Sequence, residues 1–137
     1  MRHLIDPLDF ALEETTKVLD LADRIAVSPE VWQPCGRWEK DCHSFYEPST
    51  RTRLSFESAM PSLGGKSPLA LQVLNSPVPQ RSKRSSRDTA RVVRRHADII
   101  AMCGIPREGA PLRASMYAHT VPVINAGDGG HNHPTQS

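Results

Sequence analysis

At 137 residues, with 38% hydrophobic and 5% aromatic side chains, the chain is long enough for one domain with a core, though a lean one. Its formal net charge of +2 excludes any case for nucleic-acid or membrane binding from total charge, so electrostatic function must rest on local clusters. No apolar run approaches the roughly 20 residues of a membrane span and the first residues lack a signal peptide's apolar core, so a cytoplasmic protein is expected, while Cys35, Cys42 and Cys103 lack the paired spacing of a disulfide framework and point to reduced thiols.

The spacing predicts a first helix over Leu12 to Ile25, with Val18, Leu21, Ala22 and Ile25 on one face. Glu13 and Glu14 stand in its first turn, where the helix dipole favours negative charge, and Ser28-Pro29 closes it because the residue before proline is pushed out of the helical region. Val31 to Ser44 shows no clean period and reads as loop with a poor strand before Phe45. A buried parallel strand is ordinarily a nearly continuous apolar run, and Glu39-Lys40-Asp41-Cys42-His43-Ser44 is not one.

Ser49-Thr50-Arg51-Thr52-Arg53 follows Phe45-Tyr46-Glu47-Pro48 and precedes a helical pattern of Phe56, Ala59, Met60 and Leu63, stopped by Gly64-Gly65. The first amides of a helix have no partner within it and carry partial positive charge, so phosphate binds there readily. Hydroxyls add short donors and arginine adds a charged fork that matches phosphate or carboxylate oxygens. The bland alternative is a capped helix with solvated arginines. Pro61 is discordant inside the pattern, since it removes a backbone donor and ends or bends a helix.

Leu69 to Leu74 reads as a short strand, with Pro68 tolerable only at its start. A flexible basic loop is expected over 75–87, with Arg81, Lys83 and Arg84 beside prolines and serines; no aromatics are interleaved for base stacking, so solvated surface is the plainer reading. Arg87 to His96 reads as a helix capped by Asp88, Asp98 to Met102 as a buried strand, Ala110 to Tyr117 as a short helix and Val121 to Asn125 as another strand. Helices alternating with short strands imply a parallel α/β sheet flanked by helices. Ligands of such sheets bind beyond the carboxyl ends of strands, and both the arginine cluster and the glycine-rich loop from Asn125 to Gln136 leave strands at that edge.

Phe45 through Glu57, Asp98 through Met102 and Pro122 through Gln136 resemble the aspartate carbamoyltransferase catalytic chain, and the likeness runs from His3-Leu4-Ile5 to the end. Glu47-Pro48 before the arginine cluster, and Asn125-Ala126-Gly127-Asp128-Gly129 before His133, are closer to the aspartate enzymes than to their ornithine relatives. The resemblance implies a carbamoyltransferase N-terminal domain filling residues 1–137, with the C-terminal aspartate domain absent. It implies transfer of the carbamoyl group of carbamoyl phosphate to L-aspartate, giving N-carbamoyl-L-aspartate and phosphate in de novo pyrimidine synthesis, with no metal or organic cofactor. Matching positions are Ser49, Thr50, Arg51 and Thr52 around the phosphate, with His133 and Gln136 near the carbamoyl group; Arg51, Thr52 and His133 carry the catalytic roles. Lys83 stands one residue out of register with a family lysine that reaches a neighbouring subunit. A homotrimer, and a regulatory chain as a further partner, belong to the same expectation.

Several features depart from the pattern: the first strand is polar where the family is apolar, and Pro61 and Pro68 sit where the family needs helix and strand. Cys103 occupies the place of a family arginine that contacts carbamoyl phosphate, with one extra residue before Arg107-Glu108-Gly109, and a neutral thiol cannot replace a guanidinium fork. His131 and His133, two apart, would project to opposite sides if extended, and no cysteine pair has zinc spacing, so no metal site is expected. Three readings follow: a piece of a working enzyme, a non-catalytic relative that keeps an anion site, or an oligomerisation or regulatory module. In each, these 137 residues alone are expected to turn over poorly.

Overall fold

The computed structural model describes residues 1–32, 41–45, 50–65, 68–72, 86–103, 109–128 and 132–136. In chain order it contains α1 (Leu12–Val27), α2 (Pro29–Trp32), β1 (Asp41–Phe45), α3 (Thr50–Ser62), β2 (Pro68–Gln72), α4 (Ser86–Val93), β3 (Ile99–Cys103), α5 (Ala110–Ala118) and β4 (Val123–Asn125). The strands form a parallel sheet ordered β2-β1-β3-β4. No described helix is long and apolar enough to cross a membrane.

The polar segment Asp41–Phe45 is a central strand of this sheet, paired with Pro68–Gln72 on one side and Ile99–Cys103 on the other. Backbone ladders on both edges satisfy its amides and carbonyls, so pairing overrides a composition that reads poorly as strand. Pro68 opens β2, where its missing donor is tolerated. Val73, Leu74 and the loop to residue 85 lie outside the described residues; Ser86 and Arg87, expected at the loop's end, open α4, and Asp88 sits in its first turn instead of capping it.

The core gathers around β3, whose residues Ile100 to Cys103 are all buried. Ile100 packs with Val93, Ala97, Ala118, Val121 and Val123, while Met102 packs with Ala90, Ala110 and Ala114. Cys103, on the opposite face by the strand's period of two, packs with Ala126 and Phe56.

The periodic face of α1 and the discordant Pro61 each find their setting in the structure. The periodic face of α1 is not a buried one: no residue of that helix is buried, Val18 and Leu21 are exposed and Ile25 is only half-buried. Pro61 lies in the last turn of α3, which ends one residue later at Ser62. The Gly64 amide donates to the Pro61 carbonyl (3.0 Å) and the Gly65 amide to the Met60 carbonyl (2.9 Å), with Gly64 at φ 81°. This is a Schellman end, in which the left-handed residue is a glycine because a side chain there would be strained.

The N-terminal segment extends the sheet past β4. The Leu4 amide donates to the Val123 carbonyl (2.9 Å) and the Asn125 amide to the Leu4 carbonyl (2.7 Å), while Ile5 packs on the core. Arg2 fixes the outer end of this strap, donating to both carboxylate oxygens of Glu14 (2.7 Å each) and stacking over Phe10. Glu14 also accepts the Ala11 amide (3.0 Å), so one carboxylate caps α1 and anchors the strap.

Acid should loosen the strap in two stages. Burial pushes the His3 imidazole below its ordinary value of 6.5, and its Nδ1 accepts the Val123 amide, a role that protonation abolishes. The hydrogen bond from Arg2, then that from the Ala11 amide, lower Glu14 from 4.5 to about 2. Both folded values are depressed, so the unfolded chain binds protons first and stability falls as pH falls, first below 6.5 and then from 4.5 through about 2. An NMR titration should place the Glu14 midpoint near 2 and show Arg2→Ala moving it toward 4.5; a midpoint unchanged by that substitution would remove Arg2 as the cause.

Candidate functional site

Beyond the carboxyl edge of the sheet, Arg51, Thr52, Ser55, Phe56 and Ala59 of α3 face Thr135 and Gln136 across a cleft of about 470 Å³. The sheet order brings these segments together. The chain passes from β1 to β2 on one side and returns to β3 on the other, so the edge above β1 and β3 is a topological switch point, where ligands of open α/β sheets bind.

The helix start contributes unequally. Arg51 is exposed and lines the cleft, and Thr52, only 7% exposed, also lines it. Arg53 points elsewhere: its Nε lies 3.0 Å from Glu57, one helical turn on, so of the two arginines in the cluster only Arg51 faces the cleft. Thr50 is exposed at the first residue of the helix and is not in the lining. Ser49, Lys83, Arg107 and His131 lie outside the described residues.

Opposite the helix, the loop after β4 is organised by short polar side chains. Asn125 is fully buried; its Nδ2 donates to the carbonyls of Ile5 (2.9 Å) and Asn132 (3.2 Å), and its Oδ1 accepts the Gly127 amide (2.9 Å). Asp128, 5% exposed, accepts the Asn132 amide (2.8 Å) and returns its own amide to the Asn132 carbonyl (3.3 Å). Burying an amide and a carboxylate without such partners would cost several kcal/mol, so the bonds define the loop's path.

That path ends in the turn His133-Pro134-Thr135-Gln136, closed by the Gln136 amide on the His133 carbonyl (2.8 Å). The His133 ring stacks against Gly127: a Cβ there would stand 2.8 Å from both Cδ2 and Nε2. His133 Nδ1 lies 2.9 Å from the Thr135 hydroxyl. Thus Arg51, Thr52 and Gln136 share the cleft, whereas His133 is not in its lining and reaches it through Thr135. Thr135 and Ser55 are lining residues that the sequence did not single out, while Phe56 and Ala59 stood in its apolar helical pattern without being placed at the site. A helical offset of three or four residues from Arg51 and Thr52 would have pointed to Ser55 and Phe56, and a second turn to Ala59.

Cys103, at the end of β3, is 5% exposed and packed with Ala126 and with Phe56, itself a lining residue, but is not in the lining of the cleft. No metal cluster of histidine, cysteine or carboxylate groups occurs among the described residues.

Sheet and cleft together define an α/β domain with a candidate anion pocket at its switch point. The family model described as "Aspartate/ornithine carbamoyltransferase, carbamoyl-P binding domain" matches residues 2–137, and the chain belongs to this family. The aspartate carbamoyltransferase catalytic subunit of Lachnoclostridium phytofermentans is 53% identical over 137 residues, covering 100% of this chain and 43% of the relative. The catalytic subunit of M. jannaschii aspartate transcarbamoylase superposes with a TM-score of 0.81 at 41% identity, over 99% of this chain and 44% of that one. Aspartate transcarbamoylase from Trypanosoma cruzi, solved in complex with phosphate, superposes with a TM-score of 0.78 at 26% identity, over 98% of this chain and 42% of that one. The chain therefore spans less than half the length of the relatives it matches.

The contact between Gly127 and His133 gives a direct test. Gly127 has φ 115°, and an added methyl would meet the ring at 2.8 Å. Gly127→Ala should therefore cost upwards of about 1 kcal/mol of stability through backbone strain alone and turn the imidazole off its seat. Denaturant unfolding checks the first effect, and the ring-proton chemical shifts of His133 check the second; an unmoved ring would contradict the contact.

Proposed function

We propose that the chain is the carbamoyl-phosphate-binding part of an aspartate carbamoyltransferase, holding carbamoyl phosphate between the start of α3 and the 132–136 turn. The observation that carries this reading is that Arg51 and Thr52 share one cleft with Gln136, although 84 or more residues separate them in sequence. Family membership supports it, as does the phosphate-bound state of the Trypanosoma cruzi relative.

In the reaction, the amino nitrogen of aspartate attacks the carbonyl carbon of carbamoyl phosphate. The new C–N bond forms, the C–O bond to phosphorus breaks, phosphate leaves and the nitrogen gives up a proton. Charge grows on the carbonyl oxygen during attack and on phosphate during departure. Arg51, the Thr52 hydroxyl and the amides opening α3 are suited to the second charge; Gln136 and His133, if its ring turns toward the cleft, supply donors for the first. Ser49, Thr50 and Lys83 belong to the same reading as phosphate and loop contacts. The protein's share is positioning and electrostatics, so no cofactor enters.

Within the described lining Arg51 is the one cationic side chain. It can neutralise phosphate but leaves no second fork for the two carboxylates of aspartate. Effective molarities of about 10⁵ to 10⁸ M arise only when both reactants are held in attack geometry. A polypeptide of these 137 residues should therefore bind carbamoyl phosphate yet form little carbamoyl aspartate. Aspartate binding, trimeric association, a regulatory chain and a cytoplasmic role in pyrimidine synthesis belong to the whole protein in this reading. Cys103, buried against Phe56 and Ala126 where the family resemblance implies an arginine, favours the alternative of an anion-binding module without turnover.

Calorimetric titration separates the two arginines. Arg51→Ala should weaken binding of phosphate and carbamoyl phosphate by about 1.5 to 3 kcal/mol, a loss of about tenfold to a hundredfold, whereas Arg53→Ala, which removes a partner of Glu57, should change it by less than about threefold. Equal affinities for the parent and Arg51→Ala would sink the site. A radiolabelled carbamoyl-transfer assay tests turnover, and product formation by the purified 137-residue chain, saturable in aspartate, would show that the second substrate also binds here.

A further inference from the structure

We propose that Asp6 is a positioning residue of the candidate site, acting as a latch on Asn132 that holds the His133–Gln136 turn against α3; its consequence for ligand binding rests on the carbamoyl-phosphate reading above. Asp6 lies in the N-terminal strap and has no place in the lining of the cleft. Its carboxylate is nevertheless held from both sides. Oδ1 accepts the Leu8 amide (2.9 Å), while the amides of Ile5 and Asp6 donate to the Asp9 carboxylate (2.7 and 2.8 Å). Oδ2 is aimed at the loop and accepts Nδ2 of Asn132.

Asn132 has its own backbone secured independently. Its amide goes to Asp128, and its carbonyl accepts the amide of Asp128 and Nδ2 of Asn125. The side chain is not needed for those bonds, so its link to Asp6 serves to fix the orientation of the residue that immediately precedes His133. A rotation about Asn132 would carry the closed turn with it, and Thr135 and Gln136 of that turn line the cleft. The bond joins an ionised acceptor to a neutral amide, the charge-assisted kind that holds geometry best. Because the strap is bonded to β4 at Leu4 and to α1 through Arg2, the latch refers the turn to the sheet instead of to a loop.

Four proteins test the latch: the parent, Asp6→Asn, Asn132→Asp and the double variant, each in the full 137-residue chain. Hydrogen exchange of the Gln136 amide reads the turn, denaturant unfolding reads global stability, and calorimetry with inorganic phosphate reads the cleft. Asn132→Asp sets carboxylate against carboxylate; it should speed Gln136 exchange well beyond any change in global stability and weaken phosphate binding about tenfold. Asp6→Asn alone should change affinity by less than about threefold, because the facing Asn132 amide can rotate to offer its oxygen. The double variant exchanges donor and acceptor, so protection of Gln136 and phosphate affinity should both return to within about threefold of the parent. Failure of the double variant to recover, or Gln136 exchange that merely follows global stability, would overturn the latch. If the parent binds no phosphate, the functional reading falls while the exchange pattern still decides the latch on its own.

Discussion

A fully buried amide, Asn125 at the end of β4, is the interaction on which the carboxyl edge of the molecule depends. It bonds three separate pieces of chain: the strap at Ile5, the backbone at Gly127 and the returning loop at Asn132. An apolar side chain of the same volume would bury as well but would take the side-chain partner from the Ile5 carbonyl and the Gly127 amide and leave the Asn132 carbonyl with the Asp128 amide alone. The polar network fixes the path of the loop, and the turn bearing His133 and Gln136 inherits its position from it.

The opposite wall is set by a different device. Strand β1 delivers the chain at the carboxyl edge, and α3 begins with the hydroxyl and guanidinium groups that suit an anion. Helical geometry then divides the two arginines, placing Arg51 at the cleft and Arg53 one turn from Glu57. Phe56 of this wall packs on Cys103 at the end of β3 and on Ala126, which seats α3 on the sheet. Among the described residues, a charged ligand in this cleft would draw its electrostatic stabilisation from the Arg51 guanidinium and a helix end.

The strap ties this edge to the rest of the fold. Its backbone extends the sheet, its arginine meets the cap of α1 and its aspartates organise the turn that follows. The periodic face of α1 remains exposed in the described structure at Val18 and Leu21. Helical periodicity therefore marks an amphipathic surface without stating what lies against it.

Sequence by itself determined the alternation of helices and strands, the helix start at the arginine cluster and the family. Those rest on local signals: a 3.6-residue period, proline and glycine stops, and a contiguous motif. It rated Asp41–Phe45 a poor strand where the structure has a central one, and it left open what covers the face of α1, because strand pairing and helix burial are set by neighbours distant in the chain. The site was legible as residue types but not as geometry. Only the tertiary structure decided that Arg51 and not Arg53 faces the cleft, that Thr135 stands between it and His133, and that Asp6 meets Asn132. Such contacts depend on sheet order and loop path, which no local pattern encodes, whereas the tendency of a helix start to attract an anion is a property of the segment itself.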